Sequence, residues 1–156
     1  MLKPLEVTVN GQHYELAVRP NTLLVEVLAS QLGMQGVKRG CDCSSCGACT
    51  VILDGRAVKS CSILAVQANG REVITIEGLA EGNKLHPIQQ SFIDHFAIQC
   101  GYCTPGMILS AKALLDENPN PTENELKEAL RGNLCRCTGY VKIIEAISAV
   151  RDKMNA

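Results

Sequence analysis

Eight of the nine cysteines fall into two groups whose spacing suits metal chemistry. Cys41, Cys46 and Cys49 form C-x4-C-x2-C, and Cys61 follows as a fourth thiol. Three thiolates from one short loop and one from further along the chain can close round two irons, a spacing that fits a [2Fe–2S] cluster. Ser44, Ser45, Gly47 and Ala48 are small, so the backbone can wrap an inorganic core and aim peptide N–H groups at its sulfurs. The competing chemistry is a zinc knuckle or a fortuitous CxxC.

The second group is Cys100 and Cys103, a CxxC directly before one expected helix, with Cys135 and Cys137, a C-x-C directly before another. Two helix N-termini then aim at one point, and their positive dipole ends favour thiolates and sulfides. Spacing alone leaves zinc and [2Fe–2S] equally open here, and the neighbouring loop favours iron. No histidine lies within ligand spacing of a cysteine pair, which argues against a Rieske site. His13, His86 and His95 are expected on the surface or in a linker. Cys43 is left over. It reads as a small residue under the loop, with an alternative ligand or a redox-sensitive thiol as the sharper readings. Lys38, Arg39 and Arg136 flank the cysteines, either as solvated charge or as docking groups for a partner or an anionic cofactor.

The bulk numbers exclude several classes. The 156 residues carry 15 basic and 16 acidic side chains, a net charge of -1, so nothing electrostatic favours nucleic acid. Aromatics are 3% with no tryptophan, which leaves no stacking platform for bases. A hydrophobic content of 46% is that of a globular protein. No run of about 18 apolar residues suggests a membrane span. The stretch Met1–Glu6 lacks the apolar core of a signal peptide, so a cytoplasmic location is expected, where such cysteines are ligands more often than disulfides.

The elements that must position these thiols change character midway. Leu5–Val9 and Gln12–Val18 alternate around Asn10-Gly11, a hairpin signal. Thr22 is expected to cap a helix with Leu24, Val27, Leu28 and Leu32 on one face, stopped at Gly33. Thr50–Leu53, Arg56–Val58 and Glu72–Ile76 read as strands, the first two joined by a turn at Asp54-Gly55. A compact mixed sheet packed on one helix follows, over residues 1–78. Residues 79–86 read as a linker. Residues 87–156 read as a four-helix unit. Its first helix runs from Pro87 to about Ala97 with Ile88, Phe92, Ile93 and Phe96 on one side. Its second begins at Thr104-Pro105, ends at Glu117 and aligns Ile108, Ala111 and Leu115. The third starts at the capping box Thr122–Glu125, turns Leu126, Ala129 and Leu130 inward and ends at Gly132. The fourth, from about Tyr140, carries Ile143, Ile147, Val150 and Met154. The fold class is α+β.

Three stretches together carry a resemblance: Cys41–Thr50 with Val51, Gln99–Met107 and Gly132–Tyr140. With these, the chain resembles the small iron–sulfur subunit of the molybdenum hydroxylases, a family that includes xanthine dehydrogenase, aldehyde oxidoreductase and carbon monoxide dehydrogenase. The resemblance covers essentially the whole chain. It implies an N-terminal β-grasp plant-type ferredoxin domain and a C-terminal four-helix domain, each with one [2Fe–2S] cluster. It further implies a large molybdopterin-binding partner, a medium FAD-binding partner and a dimer of heterotrimers. The Cys100/Cys103/Cys135/Cys137 cluster would lie next to the pterin, contacted through Gln99 and Cys137. The Cys41/Cys46/Cys49/Cys61 cluster would lie nearer the flavin. Cys43 departs from the family, which usually carries another residue there. No nucleophile–base pair or phosphate loop is legible, so substrate turnover is expected on another subunit. A freestanding double-cluster carrier and a zinc-stabilised interaction module remain as alternatives.

Overall fold

The computed structural model describes residues 1–154; Asn155 and Ala156, the end of the expected helical unit, lie outside the described residues. The sheet half begins with a hairpin of β1 (Lys3–Val9) and β2 (Gln12–Val18). Asn10 and Gly11 take φ of 51° and 78°, the left-handed pair that a tight two-residue turn requires. β3 (Thr50–Leu53), β4 (Arg56–Lys59) and β5 (Arg71–Ile74) complete a five-stranded sheet in the order β2-β1-β5-β3-β4. Only the central β1–β5 pair is parallel, so the chain crosses over the sheet between them. That crossover carries the helix and the first cysteine loop. The result is a β-grasp sheet.

The helix of this half departs from expectation. It is a single α turn, α1 (Leu24–Glu26), running into a π segment over Val27–Gln31. Leu32 N–H reaches back five residues to Val27 O at 2.9 Å. Thr22 does not cap it; the cap position is Leu23, whose N–H donates to Glu26 Oε2 at 3.0 Å. The reason lies in the neighbouring chain. Leu24 N–H donates to Ile63 O, and Thr22 O accepts from Ala65 N–H, both at 2.8 Å. Backbone pairing with Ile63–Ala65 satisfies the groups that a side-chain cap would serve, and Thr22 is buried instead. β5 ends at Ile74, two residues early, because Ile76–Gly78 tightens into a 3-10 turn.

The helical half consists of α2 (Pro87–Asp94), α3 (Thr104–Glu117), α4 (Glu123–Leu130) and α5 (Val141–Met154). Ile88, Phe92, Met107, Leu109, Leu126, Ile143 and Ile147 are fully buried among them. The capping box of α4 is present: Thr122 N–H donates to Glu125 Oε2 at 2.7 Å and Glu125 N–H to Thr122 Oγ1 at 3.3 Å. The expected stripe on α2 is corrected at its end. α2 stops at Asp94, Phe96 takes φ of 55°, and the reversal of hand throws its ring outward, 82% exposed, while Ala97 turns in. Ile93 and Met154 also lie outside the core.

Sheet and helices share an interior. β3 is buried at all four residues. Val51 and Leu53 join the core under α1, while Ile52 on the opposite face joins the helical core, where Ile74 and Ile76 also pack. Among the described residues no helix is long and apolar enough to cross a membrane.

Candidate metal centres

The crossover out of α1 delivers the first loop. Arg39 ties its entrance down: Nε donates to Asp42 Oδ1 at 2.5 Å and Nη1 to Glu26 Oε1 at 3.4 Å. Ser44 and Gly47 sit at φ of 59° and 70°, so the loop coils tightly on itself. The coil aims amides at sulfur. Cys46 N–H donates to Cys41 Sγ at 3.4 Å. Hydrogen bonds from the backbone of Cys43 and then of Cys46 hold the Cys41 thiol down at about 6. Burial pushes Cys49 up to about 11. Cys61 arrives from the 3-10 turn Ser60–Ser62 after β4, with Ser44 Oγ 3.7 Å from its sulfur. Lys59 Nζ, just upstream, donates to Ser44 O at 2.6 Å and so pins the loop to the sheet.

The second set forms where the expected helices begin. Cys103 is the N-cap residue of α3, and Thr104, not Pro105, is the first helical residue. Cys135 is held by its surroundings: its N–H donates to Tyr140 Oη at 2.9 Å, and Thr138 Oγ1 donates to its sulfur at 3.0 Å. Burial works to raise the Cys135 thiol, but the hydrogen bonds from Thr138 leave it lowered on balance. Burial pushes Cys103 up to about 12. Cys100 and Cys137 are exposed, with sulfurs 3.6 Å apart.

Within each set the thiols act on one another: Cys41 on Cys46, Cys61 and Cys46 on Cys49, Cys135 and Cys100 on Cys103, and Cys100 and Cys135 on Cys137. Among the described residues no three His, Cys, Asp or Glu side chains gather round a point where one ion could sit. A zinc knuckle needs four ligands on one ion. A [2Fe–2S] core divides four thiolates between two irons. Four thiols per site, with amide and hydroxyl donors turned towards sulfur, fit the di-iron core.

The structure also brings Gln99 to Cys137: Gln99 Nε2 donates to Cys137 O at 3.2 Å. It leaves Cys43 apart, exposed and 3.2 Å from Ser45 Oγ. Lys38 lies over the Tyr102 ring, 5.8 Å from its centre. His13 is on the surface and His95 closes the end of α2 against Ser91. His86 is more than a linker residue, because its Nδ1 accepts from Ile88 N–H at 3.3 Å as the cap of α2.

Residues without ligating chemistry proved central to the geometry. Asn133 is buried between the halves. Its Nδ2 donates to Gly47 O at 3.2 Å and Thr50 Oγ1 at 3.3 Å, and its Oδ1 accepts from Ser110 Oγ at 2.8 Å. Leu134 N–H donates to Cys46 O at 2.8 Å. Backbones touch here: a Cβ on Gly47 would stand 2.4 Å from Gly132 O, and one on Gly106 would stand 2.3 Å from Gly47 O. Asn133 and Thr138 lie inside the Gly132–Tyr140 stretch, yet nothing in their spacing distinguishes a buried amide from a solvated one.

Such a pair of sites on one chain defines a two-centre iron–sulfur protein. The model of the 2Fe-2S iron-sulfur cluster binding domain matches residues 7–75, and that of the [2Fe-2S] binding domain matches residues 75–148. The chain is 50% identical over 143 residues to the nicotinate dehydrogenase small FeS subunit of Eubacterium barkeri, covering 92% of this chain and 91% of that one. It is 46% identical over 146 residues to the xanthine dehydrogenase iron-sulfur-binding subunit of Escherichia coli O157:H7, covering 92% and 91%. Quinoline 2-oxidoreductase from Pseudomonas putida 86 superposes with a TM-score of 0.93 at 44% identity, over 99% of this chain and 96% of that one. Aldehyde oxidoreductase from Desulfovibrio gigas gives a TM-score of 0.93 at 41% identity, over 98% of this chain but 17% of the longer one. The chain belongs to the family of small [2Fe–2S] iron–sulfur subunits of molybdenum hydroxylases.

Proposed function

We propose that the chain is the electron-transfer subunit of a molybdenum-containing hydroxylase or dehydrogenase, working between a molybdopterin centre on a large subunit and FAD on a medium subunit. The observation that carries this is the gathering of eight thiols into two sets of four, with the Cys100 and Cys137 sulfurs 3.6 Å apart in the second. Cys41 and Cys46, with Cys49 and Cys61, hold one [2Fe–2S] cluster; Cys100 and Cys137, with Cys103 and Cys135, hold the other. Bound there, each cluster supplies reversible one-electron chemistry. The protein's part is to fix the ligands, aim hydrogen bonds at sulfur and exclude water from the inner thiols. Thr138 and the amides around Cys41 serve the second of these tasks.

The exposed Cys100/Cys137 pair, with Gln99 bonded to Cys137 O, supports placing the pterin of the large subunit on this face. The first site is then the one nearer the flavin. We also take residues 1–78, 79–86 and 87–156 as the β-grasp unit, its linker and the helical unit, the complex as a dimer of heterotrimers, and its location as cytoplasmic.

Native mass spectrometry with metal analysis on the complex from its own host tests the reading. The expected result is iron filling both sites, a brown-red oxidised colour, and molybdenum and flavin in stoichiometric partners. A colourless protein with stoichiometric zinc would overturn it. A lone iron-containing monomer would instead make it a freestanding carrier.

A further inference from the structure

The contact between the two cysteine sites is built from groups that ligate nothing. Asn133 is 4% exposed, and its side-chain amide is fully engaged across the junction. On one side it holds Gly47 O and Thr50 Oγ1, at the end of the first loop; on the other it is held by Ser110 of α3. Thr50 Oγ1 in turn donates to Gly47 O at 2.7 Å, which closes the set. A buried amide that loses a partner pays its desolvation in full, so this arrangement tolerates little slippage. One residue on, Leu134 N–H meets Cys46 O. A single hydrogen bond thus joins Cys46, of the first set, to the peptide that leads into Cys135, of the second. Gly47 and Gly106 let the backbones touch, and such contacts cannot be compressed further.

We propose that Asn133 is a positioning residue: it clamps the first cysteine loop onto the second and thereby sets the electronic coupling between the two iron–sulfur sites. The proposal rests on the reading that both sets hold [2Fe–2S] clusters. The exchange that this coupling governs is one electron leaving one site and entering the other, with no bond made or broken and no proton required. Coupling between localised redox centres falls steeply with the gap between them and is greater through a hydrogen-bonded path than through space. Losing the clamp therefore slows exchange between the sites while leaving the ligands of each untouched.

The test uses the intact purified complex carrying Asn133→Ala and, separately, the milder Ser110→Ala. Iron content is measured first, then the low-temperature electron paramagnetic resonance of the fully reduced protein, and then hydrogen exchange at the Leu134 amide. The expected result is full iron, unchanged g-values for each site, faster exchange at Leu134 and a weakened magnetic interaction between the two sites. Full iron and faster exchange with an unaltered interaction in Ser110→Ala would overturn the proposal and leave Asn133 a stabilising residue only. If Asn133→Ala loses a cluster and Ser110→Ala changes nothing, the proposal is likewise overturned. Absence of iron from the unmodified complex would instead sink the underlying reading of the two sites.

Discussion

The two cysteine sites use the same ligand chemistry and bury it to different depths. In the sheet half, Cys49 and Cys61 are 2% and 9% exposed, sealed between β3 and the 3-10 turn, while Cys41 and Cys46 are half-buried. In the helical half, Cys103 and Cys135 are half-buried and Cys100 and Cys137 stand in the open. Half of the first site is part of its domain's core; the second has no thiol so deeply buried and opens two of its four to the surface. The difference follows from the scaffolds. A crossover loop between strands can fold its thiols inward onto a sheet. Two segments that lead into helices can present theirs only at the end of the bundle.

That contrast is sharpest when ligands are removed. Cys61→Ala is expected to lose half of the iron and to lower the melting temperature of the sheet half, because the metal and the packing go together. Cys137→Ala is expected to lose half of the iron with little loss of stability. Iron analysis with thermal unfolding followed by circular dichroism checks both, and equal destabilisation by the two variants would break the comparison. Phe92→Ala, in the helical core, should cost about 3–5 kcal/mol in urea melts. Iron loss is then expected first at the second site, read from which resonance signal disappears.

Gly47→Ala probes the junction from the other direction. It adds a Cβ against Gly132 O at a left-handed φ, and is expected to cost about 3 kcal/mol in the same melts. A smaller effect comes from His86. Burial, and then the Lys112 cation, lower its pKa, and its Nδ1 must stay unprotonated to cap α2. At pH above about 6.5 the imidazole is neutral in both states and its contribution is complete. As pH falls below that, the unfolded chain takes up the proton first, so stability is lost until the lowered folded value is reached. His86→Asn keeps an acceptor at the cap and should flatten this part of the pH–stability curve. Last, Cys43→Ser should leave both resonance signals unchanged; loss of one would reassign the ligands.

Legibility in the sequence divided along similar lines. Hairpin, turns and capping box were readable because each depends on a few adjacent residues: Asn10-Gly11, Asp54-Gly55 and Thr122 with Glu125. The division of eight cysteines into two candidate groups was an expectation from spacing. The hydrogen bonds that aim amides and Thr138 at sulfur were not legible, since they depend on loops coiling in space. The first helix was misjudged for a related reason. Thr22 is a good cap by type, but Ile63 and Ala65, some forty residues on, supply the backbone groups that make a cap unnecessary. Phe96 matched the apolar rhythm of α2, and only the chain reversal after Asp94 turns it away. The clamp at Asn133 was invisible because an asparagine between Gly132 and Leu134 is also what an ordinary loop would carry.

β3 bears on how the protein could be dissected. Because Ile52 faces the helices while Val51 and Leu53 face α1, neither half has a water-compatible outer wall on this strand. A fragment ending near Gly78 would bare Ile52, Ile74 and Ile76 together and is expected to aggregate even with its own four thiols loaded. The chain carries two redox modules by chemistry and a single one by foldability, so grafting the ferredoxin-like portion onto another host would require repainting that face first.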